Sequence, residues 1–241
     1  MPEQNYIRLF GPEHFLYIAI LLVFAVCLFA FRTKIPKHRK AITIGILLVS
    51  LFQQVLLYSS YFYLLDFHLG ESLPFHISRI SSLLGILLLL TNNRKTFAVL
   101  SFFSLYAWAT FLYPSRVYAI THPIGLSFII NHVITILLPY YMMIAYGLQI
   151  KKGDRNTAFG WFTTYLAFVY FFNPLVDGNY FYLKYRPVFA HWPDYVYLPA
   201  ALAVTYLGFW LGERWYLFIQ QKLSYRRYRT GTHRHKDRGM K

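Results

Sequence analysis

The chain has 241 residues, of which 57% are hydrophobic, 21% are aromatic and only 14% are charged, and its mean hydropathy is +0.38. Soluble domains carry about a quarter charged residues, so this composition excludes an ordinary soluble enzyme. A membrane-spanning helix needs about 20 apolar residues, which leaves room for seven or eight spans and for no sizeable soluble domain. Function must therefore reside within a helical bundle.

Seven apolar runs follow one another along the chain, each bounded by charged residues, Pro, Gly or Asn. They predict an all-α fold, a polytopic membrane protein with seven transmembrane helices in a single domain over residues 1–217. No small-residue cleavage site follows the first run, so we interpret it as a span and not as a signal peptide. A break near Asn173 in the short sixth run would reduce the count to six. The runs are 14–31, 41–65, 73–91, 96–113, 123–149, 157–173 and 195–217.

Lysine and arginine fall almost entirely on one side of the predicted membrane. Nineteen of the 24 lie after the first, third and fifth runs, or at the end of the last run and beyond it. Because cytoplasmic loops keep positive charge during insertion, this pattern predicts the N-terminus outside and the C-terminus inside. An odd number of spans agrees with it. We expect a multi-pass protein of the plasma membrane, and the net charge of +15 does not indicate nucleic-acid binding.

The C-terminal segment 218–241 is strongly basic, and from Tyr225 onward its only aliphatic side chain is Met240. Such a segment cannot offset its ordering entropy by burial, so we predict a disordered cytoplasmic tail. Lys and Arg near a membrane are attracted to anionic lipids by about 1 kcal/mol each. Anionic inner-leaflet lipids are therefore a predicted partner of the tail, although fixing the topology alone also explains its charge.

Ionisable and amide side chains gather near the outer ends of the predicted spans. Such groups are costly in lipid and mark functional sites by default. They predict a polar cavity that opens outward and binds a lipid or a lipid-linked anionic substrate, with membrane lipids as partners. The candidate substrate-binding residues are Arg79, Asn179, His14, Asn131 and Asp177.

Arg79 lies three residues after His76 at the start of the third run, so both share one face of a helix. An arginine inside an apolar helix needs an acidic partner, carbonyl groups or an anionic ligand. We predict that Arg79 binds the phosphate or carboxylate of the substrate. An ion pair with Asp66, Glu71 or Asp177 is the structural alternative.

His132 lies in the fifth run beside Asn131, about 13 Å below the outer end. Histidine changes between neutral and cationic forms near pH 7, which suits a general base or a proton relay. His76 and His132 are therefore candidate catalytic residues, with His132 as the general base and His76 as its partner. A hydrogen bond to a neighbouring helix is the alternative for either histidine.

The longest outer loop follows the sixth run and is dense in aromatic residues. Asp177 and Gly178 form a turn signal, and Asn179 with the Tyr and Phe residues after it is predicted to re-enter the membrane as a lid. An interfacial aromatic belt is the alternative.

Five histidines on the outer side could supply metal ligands in principle, but no HExxH or HxH spacing occurs. The single cysteine, Cys27, excludes a disulfide framework and a cysteine zinc site. We predict neither a metal nor a cofactor. The five are His14, His68, His76, His122 and His132.

Three segments, in this order and with these gaps, resemble the YwaF family of bacterial integral membrane proteins. They are LPFHISRISSLLGILLLLTNN from Leu73, INHVITILLPYYMM from Ile130 and GNYFYLKYRP from Gly178. The resemblance covers most of residues 10–217. A distant eukaryotic branch contains membrane acyltransferases that move fatty acyl chains between phospholipids through a cysteine beside the third-span histidine. The resemblance implies an acyltransferase-like or other lipid-modifying activity.

The chain departs from that branch at the nucleophile. Phe75 precedes His76, and Ser78 stands where many bacterial relatives carry a cysteine, so a thioester cannot form. Ser78 is the remaining candidate nucleophile and would need a base such as His132. Direct transfer between two bound lipids, with a histidine as base, avoids the nucleophile. The alternative function is a transporter or sensor of a small anionic or protonatable solute that uses the same cavity.

Overall fold

The computed structural model describes residues 6–236, with side chains described for residues 6–223. Within that part all regular secondary structure is helical apart from one isolated antiparallel bridge between Tyr6 and Tyr118, and there is no strand, which confirms the all-α fold. Two 3-10 turns, Ile35–Lys37 and Tyr180–Tyr182, supplement the helices. These are α1 (Pro12–Ala30), α2 (Arg39–Tyr63), α3 (Leu69–Ser72), α4 (Ile77–Thr91), α5 (Arg94–Phe103), α6 (Leu105–Leu112), α7 (Pro123–Tyr146), α8 (Asp154–Leu175) and α9 (Asp194–Lys236).

Each of the seven predicted apolar runs coincides with helix, and the fourth is divided at Ser104 into α5 and α6. Five segments are long and apolar enough to cross a membrane: Pro12–Ala30, Arg39–Tyr63, Arg94–Leu112, Pro123–Tyr146 and Asp194–Leu223. The other two runs fall short of that measure. Helix α4 has only 15 residues, and α8 carries Asp, Arg, Asn and Thr among its apolar residues.

Helix α7 is the centre of the bundle. It is buried along most of its length and packs against α1, α2, α4, α5 and α6. Its C-terminal half joins α4, α5, α8 and α9 in the larger apolar core, which is filled by large side chains such as Leu88, Phe97, Leu138 and Phe162. The helices that surround α7 expose their outer apolar faces, as expected of a bundle whose solvent is lipid.

Contacts between loops define the two ends of the bundle. At one end the amide of Ile7 donates to the carbonyl of Val117 over 2.8 Å, and the hydroxyl of Tyr17 donates to the carbonyl of Tyr118 over 2.7 Å. At the opposite end Arg94 pairs with Asp154 through two hydrogen bonds of 2.8 Å. The second end carries the basic loops and is called the basic end below; the first is called the α3 end.

The predicted tail at 218–241 begins within α9. Side chains beyond residue 223 and the whole of residues 237–241 lie outside the described part of the chain. The disorder of the tail therefore stays a prediction.

Candidate functional site

The segment between α2 and α4 builds the site at the α3 end. His68 caps α3, since its Nδ1 accepts the amide of Gly70 over 3.1 Å. Leu73 then leads the chain away in an extended conformation, and His76 is the N-cap of α4. The third apolar run begins at Leu73, but α4 begins four residues later, at Ile77. His76 therefore lies directly before the first residue of the helix.

His76 faces Glu71, a residue of α3. Nε2 of His76 lies 3.1 Å from Oε1 of Glu71, and the His76 side chain is only 13% exposed against 52% for Glu71. The angle between the groups is outside hydrogen-bond geometry, so within the described residues this buried nitrogen has no hydrogen-bond partner. Because the separation is already that of a hydrogen bond, a small rotation of either side chain completes it.

Arg79 is buried and holds the backbone around Glu71. Its Nη1 donates to the carbonyls of Glu71 and Leu73, the second over 2.8 Å. Its Nη2 donates to the hydroxyl of Tyr61 and lies 3.5 Å from the Glu71 carboxylate, and the guanidinium carbon sits 4.8 Å from the centre of the Tyr61 ring. Protein groups thus accept four of its five N–H bonds. The ion-pair alternative is present with Glu71, and binding of a substrate anion by Arg79 stays a prediction.

Two tyrosines of the loop after α8 cover His76. The ring centres of Tyr180 and Tyr182 lie 5.0 Å and 6.1 Å from that of His76. The loop is joined to α3, since the amide of Asn179 donates to the carbonyl of Gly70 over 3.3 Å. The aromatic loop therefore lies directly against the histidine.

The side chains of Asp177 and Asn179 make their contacts within the loop after α8. The Asn179 side-chain oxygen accepts the amides of Lys184 and Tyr185 over 3.0 and 2.9 Å. Asp177 pairs with Lys184 over 2.5 Å. Both side chains are engaged in shaping the loop, and their predicted binding of substrate stays a prediction.

His132 and Asn131 point in different directions from α7. His132 stacks on Phe128 with ring centres 3.8 Å apart, donates from Nδ1 to the Phe128 carbonyl over 2.9 Å and approaches Phe111 of α6. Asn131 instead donates to the carbonyl of Ser78 over 3.3 Å. The structure thus brings Asn131, not His132, to α4, and the contacts of His132 lie away from His76 and Ser78.

His14 is buried at the α3 end between two backbone groups. Its Nδ1 accepts the amide of Phe10 over 3.0 Å, and its Nε2 lies 2.7 Å from the carbonyl of Phe111. The Nε2 contact joins α1 to the end of α6, while Nδ1 holds the segment that precedes α1.

A polar network that sequence reasoning missed lies deeper in the bundle, between α2, α4 and α7. The amide nitrogen of Gln53 donates to Ser127 over 2.8 Å, while that of Gln54 donates to both Gln53 and Ser82 over 2.8 Å. Gln53, Ser82 and Ser127 are buried. The only signal in the sequence was the pair of glutamines inside an apolar run, which does not specify partners.

Burial and neighbouring charges both act on the pKa values of Glu71 and His76. For Glu71 the two effects are opposed, whereas for His76 the charge of Arg79 adds to the effect of burial. Burial raises the pKa of Glu71, but His76, Arg79 and Arg116 outweigh that effect and leave the pKa below its ordinary value. Burial lowers the pKa of His76, and the charge of Arg79 lowers it further against the opposing effect of Glu71. We therefore expect a neutral imidazole beside an ionised carboxylate at neutral pH.

Both shifts predict that stability falls with acidification. The unfolded chain binds a proton at His76 at higher pH than the folded chain does, so the free energy of unfolding decreases as pH falls below about 6.5. Glu71 adds a loss in the same direction below its ordinary pKa. Thermal unfolding in detergent between pH 7.5 and 5.0 measures the slope. The slope is expected to be shallower in His76→Gln than in wild type, and equal slopes would contradict the assignment.

Among the described residues, no three His, Cys, Asp or Glu side chains are grouped as metal ligands would be. The Glu71–His76 pair by itself offers two donors, and Arg79 beside it disfavours a cation. The predictions of no metal and no cofactor stay predictions.

A bundle of apolar helices that buries a histidine, an arginine and an amide network defines a polytopic integral membrane protein. Its surface contacts membrane lipids. The model of the TMEM164 family matches residues 9–212, and the chain belongs to that family. No curated protein and no solved structure matches the chain.

Proposed function

We propose that the protein is a lipid-modifying membrane enzyme with acyltransferase-like activity, in which His76 is the general base. The observation that carries the proposal is the buried Nε2 of His76, 3.1 Å from the Glu71 carboxylate at the end of a membrane bundle. Perturbed titratable pairs of this kind mark functional sites. The resemblance to the YwaF family and its acyltransferase branch supports the same activity.

The proposal includes seven spans in the plasma membrane, with the α3 end outside. Helix α4 begins beside the contact of Arg79 with Tyr61 at the α3 end and is followed by Arg94 at the basic end. Helix α8 opens with Asp154 at the basic end and ends just after Asn173, which bonds Tyr180 at the α3 end. The charge bias of the loops supports this orientation. The basic tail then faces the cytoplasm, where anionic inner-leaflet lipids are its proposed partner.

The chemistry needs no cysteine. With Glu71 accepting Nε2–H of His76, the lone pair is left on Nδ1, which has no hydrogen-bond partner among the described residues. Nδ1 removes the proton from the hydroxyl of an acceptor lysolipid, and the resulting alkoxide attacks the ester carbonyl of a donor phospholipid. The tetrahedral intermediate collapses, the ester bond to the donor breaks, and the departing alkoxide takes the proton from Nδ1.

In this scheme Arg79 positions Glu71, and Ser78 and His132 are not required. Ser78 as nucleophile and His132 as base stay predictions from the sequence. The contacts of His132 with Phe128 and Phe111 do not support a role beside Ser78.

The test is acyl transfer in liposomes that contain the purified protein, a phosphatidylcholine with an isotope-labelled acyl chain and an unlabelled lysophospholipid. Mass spectrometry follows the labelled chain. His76→Gln is expected to lower the rate by a factor of about 10² to 10⁴, the usual contribution of a general base. The matched control is His191→Gln, the same change at an exposed loop position, which should keep the wild-type rate. Equal rates in wild type and His76→Gln overturn the proposal.

A transporter or sensor of a small anionic or protonatable solute is the second candidate. The network of Gln53, Gln54, Ser82 and Ser127 favours it, because it extends polar groups below the site toward the middle of the bundle. Flux of a labelled carboxylate or phosphate into protein-containing vesicles, without change in lipid composition, would support transport and contradict the enzyme.

A further inference from the structure

We infer that Tyr180 and Asn173 are positioning residues, which together form a clamp that fixes the Glu71–His76 pair. The inference rests on the proposed function only for its consequence in catalysis. Its geometry is independent of the reaction, because every contact in the clamp is made by the protein alone.

Asn173 is the base of the clamp. It is buried near the end of α8 and makes two hydrogen bonds of 2.9 Å to one residue: Nδ2 donates to the carbonyl of Tyr180, and Oδ1 accepts the amide of Tyr180. The amide of Gly178 closes the loop on the Asn173 carbonyl over 2.8 Å. A Cβ at Gly178 would lie 2.9 Å from Asn173 Oδ1, so the loop has no room for a larger residue there.

Tyr180 is the arm of the clamp and is fully buried. Its hydroxyl donates to the carbonyl of Leu69 over 2.5 Å and accepts the amide of Leu73 over 3.1 Å. Glu71 lies midway between those two residues. One hydroxyl therefore holds the backbone on both sides of the carboxylate, while the same ring packs edge-on against His76 at 5.0 Å.

The clamp sets both members of the pair because it contacts both. Phenylalanine at position 180 would keep the ring and its contact with His76 but would leave the Leu69 carbonyl and the Leu73 amide unpaired. Buried backbone groups rarely stay unpaired, so α3 would shift to satisfy them and would carry Glu71 away from His76. The expected result is a changed protonation and reactivity of His76 without loss of the fold.

Reaction of His76 with diethyl pyrocarbonate measures that change, since only the neutral imidazole reacts. Peptide mass spectrometry of the full-length protein gives the rate at His76 from pH 5 to 8. The titratable and charged groups that act on His76 are Glu71 and Arg79, and those that act on Glu71 are His76, Arg79 and Arg116. Tyr180→Phe leaves all of these groups in place. A shift of the midpoint therefore reports geometry.

Tyr180→Phe is expected to change the rate at His76 by about fivefold, the effect of one net hydrogen bond, and to shift its midpoint pH. Tyr182→Phe is the matched control. It removes a hydroxyl from the neighbouring tyrosine, for which the described residues supply no hydrogen-bond partner, and should leave rate and midpoint unchanged. If Tyr180→Phe and wild type react alike, the clamp is wrong.

Asn173→Asp is the second variant and carries the test if Tyr180→Phe does not fold. It keeps the oxygen acceptor and loses the donor to the Tyr180 carbonyl, so it should also shift the midpoint. Failure of the clamp differs from failure of the proposed function: the first leaves His76 reactivity unaltered in the clamp variants, the second leaves acyl transfer unaltered in His76→Gln.

Discussion

Arg79→Ala is expected to lower the free energy of unfolding by about 3 kcal/mol or more. The guanidinium is the donor for the carbonyls of Glu71 and Leu73 and for the Tyr61 hydroxyl, and its removal leaves these acceptors without their donor at a buried position. Chemical unfolding of the protein in detergent micelles measures the effect.

Arg79→Lys is expected to recover only part of that loss, because an ammonium group cannot reproduce the fork geometry of a guanidinium. Arg214→Ala is the matched control, since Arg214 is exposed and its guanidinium carbon lies 5.4 Å from the centre of the Trp210 ring, with no hydrogen bond or ion pair of its side chain among the described residues. The control should change stability by less than about 1 kcal/mol. A variant Arg79→Ala as stable as the control would show that the site does not depend on this residue.

Gly125→Ala should prevent the N-terminal part of α7 from packing. A Cβ at Gly125 would lie 1.9 Å from the carbonyl oxygen of Ala119 and 2.7 Å from that of Tyr118. These are backbone atoms, so the loop before α7 must move, and the bond from Tyr17 to the Tyr118 carbonyl would be lost with it. We expect a loss of about 3 kcal/mol or more, at the upper end of overpacking effects, seen as a low yield of monodisperse protein and an early unfolding transition.

Gly45→Ala is the control for that variant. Nothing lies within 4 Å of a Cβ at Gly45, which is in the second turn of α2. Alanine there should leave stability unchanged or raise it by about 0.5–1 kcal/mol, because glycine is unfavourable in a helix interior. If both alanine variants behave alike, the close approach of α7 to the preceding loop is not a constraint on the fold.

Hydrophobic runs were sufficient to predict the helices, because helix formation follows from the local sequence pattern, while the orientation that the charge bias indicates stays a prediction. The number of membrane spans was harder to predict from the sequence. Helix α4 starts only at Ile77, since the chain through Leu73 and Pro74 is held in an extended path by α3 and Tyr180. That path depends on a four-residue helix and on a contact more than 100 residues away along the chain.

The spacing of apolar residues along the sequence also could not predict how each helix is rotated about its own axis, and therefore which neighbour each side chain faces. Asn131 and His132 are neighbours in the sequence and were predicted together, yet one contacts α4 and the other packs on aromatic rings toward α6. Glu71 was one of three acidic residues considered for Arg79, and no local signal distinguishes it from Asp66 or Asp177. For Tyr180 there was no signal at all, because its loop contains many aromatic residues.

The shortness of α4 has a consequence for biosynthesis. Its 15 residues extend about 22 Å, against a hydrocarbon core of about 30 Å, and they include a buried arginine and two buried serines. A segment this short and this polar is expected to insert poorly into a membrane by itself. Its polar groups find partners first in Tyr61 and Gln54 of α2, which is synthesised earlier, and then in Asn131 of α7, which emerges later. We therefore expect α4 to depend on α2 for its insertion, since its polar groups have partners in that helix before α7 is made.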